Sequence, residues 1–299
     1  MTDDARDQFG RLVGELRPKL HRYCARMTGS AVDGEDMVQD TLIKALAALP
    51  NVGVLDNPEG WLFRIAHNTV LDFLRRRARG PMMQHDEALD MLAAPDSPDQ
   101  DHEAAKMSLR TFMRLPALQR SAVILKDVLD HSLEEVASIT GASEAAAKSA
   151  LQRGRVRLRE FAKEPGDVSL PMLSDRMRAR LTMYVEGFKT GDFDTVRAML
   201  ADDVKLDLVA KLRWQGRSQV GEYYGAYAAA KQWAYTAGVV DGRAAMLVYD
   251  RGVSLRTPAY FVALDFDGDR VVSIHDFLYA RYAMEGVDLL PLKPEALSQ

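Results

Sequence analysis

Between residues 59 and 79 the positions Leu62, Ile65, Ala66, Thr69 and Phe73 recur at helical spacing. A second set, Arg64, Asn68, Asp72, Arg75 and Arg79, follows at steps of four, four, three and four. This predicts one helix with a core face and a polar face that ends in arginines, Arg76 among them. Upstream, Val38, Leu42, Ala45 and Leu49 form one apolar stripe over 34–49, and Asp36, Gln39, Asp40 and Lys44 fall outside it. Asp33 is placed to cap that helix, and Gly29 to close an earlier one. Pro50–Pro58 is a loop, with Pro58 suited to the first turn of the helix that follows.

Helical periodicity returns over 107–163. Ser132 with Glu135 three residues on is a capping-box pattern. Leu133, Val136 and Ile139 then face inward, Gly141 makes a turn and Ser143 caps a second helix. Ala147, Leu151, Gly154, Leu158 and Phe161 form its buried stripe. A short helix, a tight turn and a basic second helix predict a helix-turn-helix. Glu144, Lys148, Ser149, Gln152, Arg153 and Arg155 are left outward. Base edges are read from the N-terminal part of such a helix. Glu144, Lys148, Ser149 and Gln152 are therefore assigned to bases, and Arg153, Arg155 and neighbouring Arg157 to phosphates.

After residue 180 tyrosines become frequent and the pattern changes. Helices are expected over 176–190 and 193–200, and strands over 204–209, 244–250, 258–266 and 270–277. Asp267-Gly268 is a tight-turn signal between the last two strands. Helices first and antiparallel strands after imply an α+β domain.

Composition and charge refine this picture. The chain has 299 residues, 47% of them hydrophobic, and a formal net charge of −4. The charge is uneven: residues 81–108 carry one basic residue against seven acidic ones, while arginines gather at the ends of two helices. Local patches of this kind, not the total, decide contact with phosphates. Residues 80–106 read as a Pro- and Asp-rich linker with one short helical patch at 91–94. His85 and His102 lack partners at ligand spacing, so no metal site and no cofactor is expected. The single Cys24 excludes an intrachain disulfide and a thiolate zinc cluster. Its surroundings suggest a buried thiol, with a redox sensor as the alternative. No apolar run spans a bilayer and the first residues are charged, so a cytoplasmic protein without membrane attachment is expected.

The segments GEDMVQDTLIKAL, WLFRIAHNTVLDFLRRRAR and LPALQRSAVILKDVLDHSLEEVASITGASEAAAKSALQRGRVRLRE, in that order, resemble the extracytoplasmic-function (ECF) class of sigma-70 factors over about residues 8–162. The resemblance implies binding to core RNA polymerase and recognition of promoter DNA. Region 2 would dock on the β′ clamp helices and open the −10 element. Region 4 would read the −35 element and sit on the β flap. Carried onto this chain, Asp36, Gln39 and Asp40 fall on the polymerase-binding helix. Arg64, Asn68 and Asp72, with Arg75 and Arg76, fall on the helix facing the −10 element. The loop 51–57 falls where a flipped base is captured, although it has no aromatic to stack on one.

Residues 172–283 resemble SnoaL-like domains of the NTF2 superfamily, cone-shaped α+β barrels with one open pocket. The expected organisation is a region 2 helical bundle (1–80), an acidic linker (81–108), a region 4 helix-turn-helix (109–163), a short linker (164–171), the SnoaL-like domain (172–283) and a tail (284–299). The tail is either frayed or docked on a partner domain. Asp207, Trp214 and His275 are the candidate pocket residues, with Asp276 as a further carboxylate. His275 and Asp276 are adjacent on a strand and cannot both point inward. No catalysis is expected, while small-molecule sensing stays open. The alternative to a sigma factor modulated by its own C-terminal domain is a conventional helix-turn-helix regulator with a ligand-sensing tail.

Overall fold

The computed structural model describes residues 3–52, 55–79, 107–163 and 173–292. Residues 81–106 of the expected linker 81–108, the expected linker 164–171, the patch at 91–94, His85, His102, residues 53 and 54 of the loop 51–57 and the last residues of the tail lie outside them. The chain divides into two compact units, Met1–Asp167 and Val168–Gln299.

Among its described residues the regular elements of the first unit are all helical. Helix α1 (Asp3–Thr28) ends at Gly29, whose φ of 73° is the left-handed conformation glycine adopts without strain. Helix α2 (Ala31–Ala48) begins earlier than expected. Ser30, not Asp33, is its N-cap, and the Ser30 side chain accepts from the Asp33 amide. Asp33 is instead buried in the first turn, where Arg77 reaches it at 3.1 Å. Helices α1 and α2 approach closely at Gly34, where an added Cβ would stand 2.6 Å from the Ala25 backbone. Helix α3 (Pro58–Ala78) is capped by Asn57, with Pro58 in its first turn as expected.

Three short segments follow. They are α4 (Leu109–Met113), α5 (Ala117–Val123) running into a π-helical turn (Ile124–Val128), and α6 (Leu133–Thr140). The long α7 (Glu144–Lys163) completes the unit. The capping box of Ser132 and Glu135 is fully formed, and Gly141 turns the chain at φ 71°. Region 2 and region 4 were expected as separate domains. Their helices share one apolar core, running from Leu20, Tyr23 and Phe63 to Phe112, Ile124 and Leu158. The reason is chemical: α4 and α5 set apolar side chains against α1, and α6 sets its own against α3, so neither half covers them alone.

The second unit opens with α8 (Asp175–Thr190) and α9 (Phe193–Ala198). Strands β1 (Leu200–Leu208) and β2 (Leu212–Gln215), helix α10 (Arg217–Ala229), and strands β3 (Trp233–Val240), β4 (Arg243–Asp250), β5 (Tyr260–Asp267), β6 (Arg270–Asp276) and β7 (Leu289–Pro291) follow. They form one sheet in the order β2-β1-β6-β5-β4-β3-β7, with β1 and β6 parallel and every other pair antiparallel. This is the α+β architecture that the SnoaL-like resemblance implies. The expected tail at 284–299 is corrected in part, because Leu289–Pro291 adds an edge strand to β3 of the same unit.

Candidate nucleic-acid interface

Arg64, Asn68, Asp72, Arg75 and Arg76 on α3 are all exposed, while Leu62, Phe63, Ala66 and Val70 of the same helix are buried. The polar stripe therefore stands on the solvent side of a helix fixed by its core. Arg75 pairs with Asp72 at 3.3 Å, both side chains largely exposed. Such a pair holds little energy and exchanges easily for a phosphate.

On α2, Asp40 is exposed, and Asp36 and Gln39 are half-buried. The same helix exposes two large apolar side chains, Ile43 (61%) and Leu46 (44%). Neither was among the residues expected at this surface, which were acidic or amide side chains. Their position outside the Val38–Ala45 stripe was the available signal.

In the helix-turn-helix, Glu144 and Lys148 are exposed at the start of α7, and Ser149, Gln152 and Arg153 are half-buried. Ala147, Leu151, Gly154 and Leu158 are buried, as the stripe predicted, with Ala150 in addition, while Phe161 of the stripe is half-buried. Arg155 departs from expectation. Its Nε and Nη2 donate to the two carboxylate oxygens of Asp127 at 2.9 and 2.6 Å, and the Asp127 side chain is 1% exposed. A bidentate pair on a buried carboxylate is a structural bond of the domain, and it already engages the guanidinium that was expected to meet a phosphate.

A polar junction joins the two halves of the first unit. Tyr23 on α1 and His67 on α3 meet at 2.7 Å, and the Ser121 hydroxyl on α5 lies 3.4 Å from both. Burial holds the His67 imidazole neutral, with its pKa lowered to about 4, and raises that of the Tyr23 phenol. The buried Arg120 guanidinium donates to the Met27 carbonyl at 2.6 Å and to Leu115 at 2.9 Å. Phe63 packs edge-on against His131, with centroids 4.9 Å apart. Cys24 is wholly buried, and burial pushes its thiol up, away from the reactive thiolate.

In the second unit the sheet register sorts the candidate pocket residues. Leu206 and Ile274 point into the core, so their neighbours Asp207 and His275, paired across β1 and β6, lie on the opposite face. Asp207 pairs there with Arg213 at 3.0 Å. Trp214 packs partly buried against the core. Asp207 and His275 are therefore corrected: neither belongs to an interior pocket. The inward carboxylate is Asp276, fully buried. It accepts from the Tyr223 hydroxyl and from that of Tyr227, the latter at 2.6 Å, and Tyr227 meets Tyr260 at 2.9 Å. Burial raises its pKa above the ordinary carboxylate value, although the tyrosine bonds act the other way.

An exposed arginine-bearing helix and a helix-turn-helix on one helical unit define the class of a DNA-binding protein. Residues 12–80 match the family model of sigma-70 region 2, and residues 109–158 that of sigma-70, region 4. The chain is similar to the ECF RNA polymerase sigma factor SigG of Mycobacterium tuberculosis, 27% identical over 93% of this chain and 83% of that protein. It is also similar to the RNA polymerase sigma factor CarQ of Myxococcus xanthus, 30% identical over 53% of this chain and 91% of CarQ. Among solved structures, the extracytoplasmic function sigma factor SigJ of Mycobacterium tuberculosis aligns with 88% of this chain and 93% of its own, at 22% identity and a TM-score of 0.36. The chain belongs to the ECF sigma factors of the sigma-70 family, which recognise promoters and initiate transcription with RNA polymerase.

Proposed function

We propose that this sigma factor reads the −10 element with the α3 face of Arg64, Asn68, Asp72, Arg75 and Arg76. The −35 element falls to the start of α7, through Glu144, Lys148, Ser149, Gln152 and Arg153. The observation that carries the reading is that both polar faces are exposed or half-buried on helices whose opposite sides share one core. Asp36, Gln39 and Asp40, together with exposed Ile43 and Leu46, form the surface offered to the clamp helices of the polymerase β′ subunit. Region 4 is the half offered to the β flap.

The shared core implies a change of shape on promoter DNA. The element names put their centres roughly 25 base pairs apart, about 85 Å of duplex. A folded body of this unit's length has a radius of gyration of only about 15 Å. Both elements are engaged together only after the Tyr23–His67–Ser121 junction and the Arg120 contact have parted. The second unit then modulates how readily the first unit opens and engages polymerase. A regulatory role without catalysis is supported by the inward carboxylate Asp276, which is enclosed by tyrosine hydroxyls, out of reach of a substrate.

Run-off transcription with core polymerase on a promoter pool tests this, comparing the full chain with a truncation after Lys163. Promoter-specific transcripts are expected, and the difference between the two forms gives the sign of control. Absence of both transcript and polymerase binding would make a conventional helix-turn-helix regulator the better account.

A further inference from the structure

The second unit holds a pocket of about 550 Å³ between the C-terminal ends of α8 and α10 and the first residues of β3. Its interior is aromatic. Phe188, Phe193, Tyr235 and half-buried Trp233 line it, with Phe188 edge-on to Tyr235 at 5.3 Å between centroids. Tyr227, 6% exposed, closes the inner end. Its hydroxyl is already engaged by Asp276 and Tyr260. The mouth is cationic: Lys231 and Arg251 are exposed there, beside Lys189, which stands 3.7 Å from Glu186. Among the described residues that line the pocket, none is a carboxylate. Arg251 is fixed in place by its own backbone and side chain. Its amide donates to Gln232 at 2.9 Å and its Nε to the Trp233 carbonyl at 3.3 Å, which leaves the two terminal nitrogens to meet a guest.

These features orient a ligand. A buried carboxylate, Asp276, sits behind the inner end, so negative charge is disfavoured deep in the pocket and favoured at the mouth. Flat aromatic walls accept a ring, and an arginine fork matches a carboxylate. We propose that the pocket binds a small planar organic anion, an aromatic carboxylate, with its ring against Trp233 and Tyr235 and its carboxylate toward Lys231 and Arg251. The inference rests on the reading of this unit as regulatory, and names what it responds to.

The test is calorimetric titration of the full chain with 2-naphthoate, with its neutral isostere 2-naphthamide and with the cationic 2-naphthylmethylamine, followed in parallel by tryptophan fluorescence. Naphthoate is expected to bind saturably and at least tenfold more tightly than either of the others. A Lys231→Gln/Arg251→Gln variant, with both changes at exposed positions, is expected to keep the thermal midpoint and lose that preference. No saturable binding at millimolar naphthoate, equal affinity for the amide, or an unchanged preference in the variant would each overturn the proposal. Promoter-specific transcription measured without ligand keeps the two readings apart. A difference in transcription between the full chain and the truncation after Lys163 without naphthoate binding removes only the ligand class, and naphthoate binding with equal transcription from the two forms removes only the regulatory reading.

Discussion

The Tyr23 hydroxyl and Nδ1 of His67 lie 2.7 Å apart inside the first unit, with Ser121 of the other half completing the contact. Because burial lowers the His67 pKa from 6.5 to about 4, the folded state holds this imidazole neutral at a pH where the unfolded chain protonates it. The stability involved is fully present above the unfolded value and is lost as pH falls from about 6.5 toward 4. By pH 5 the loss amounts to about 2 kcal/mol. Chemical denaturation at pH 7 and pH 5 should show this loss in the native chain and a much flatter response in His67→Gln. His131, shifted in the same direction by burial, supplies the residual slope. Equal slopes in the two proteins would rule out His67 as the titrating group.

Arg155 and Lys148 stand on one helix and should behave oppositely. Removing the Arg155 guanidinium strands the buried Asp127 carboxylate, and breaking such a pair costs about 3–5 kcal/mol. Lys148→Ala, at an exposed site, should leave the denaturation midpoint unchanged and reduce binding to −35 DNA. Thermal unfolding and promoter affinity measured on both variants decide this. A stable Arg155→Ala protein with weakened DNA binding would return Arg155 to the phosphate contacts.

The helix-turn-helix was legible in the sequence because each of its signals is local: Ser132 and Glu135 three residues apart, Gly141 at the turn, Ser143 at the next cap. The Arg155–Asp127 pair was not legible. It joins residues 28 apart, and Asp127 sits on a π-helical turn that periodicity does not announce. Strand β3 escaped for a different reason. Six of its eight residues are buried, so it shows no in-and-out alternation. The Asp241-Gly242 pair that turns β3 into β4, with φ of 50° and 85°, was the available clue. The choice between His275 and Asp276 needed the parallel β1–β6 register, which depends on elements distant in the chain.

The α3 arginines carry a salt signature. Arg75 and Arg76 are exposed at the end of the helix. For every phosphate left without its arginine, the slope of log affinity against log salt should fall by about 0.7–0.9. Binding of polymerase carrying the Arg75→Ala/Arg76→Ala variant to a −10 duplex, measured across a salt series, should show a shallower slope with sequence preference retained. An unchanged slope would show that these arginines meet no phosphate.

Two glycines of the helix-turn-helix should respond to alanine for separate reasons. At Gly154 an added methyl would stand 2.6 Å from Val123 Cγ2 and 3.1 Å from the Gln119 carbonyl oxygen, so α5 and α7 would have to move apart. Overpacking of this kind costs about 1–3 kcal/mol. At Gly141 nothing lies within 4 Å of the new carbon, but the residue holds φ at 71°. Only the left-handed backbone penalty applies there, about 1–2 kcal/mol. The discriminating variant is Gly141→Asn, since asparagine tolerates that conformation. It should recover most of the stability lost by Gly141→Ala in thermal unfolding, whereas Gly154→Asn should be worse than Gly154→Ala. Recovery by asparagine at position 154 would mean that α5 and α7 do not touch there.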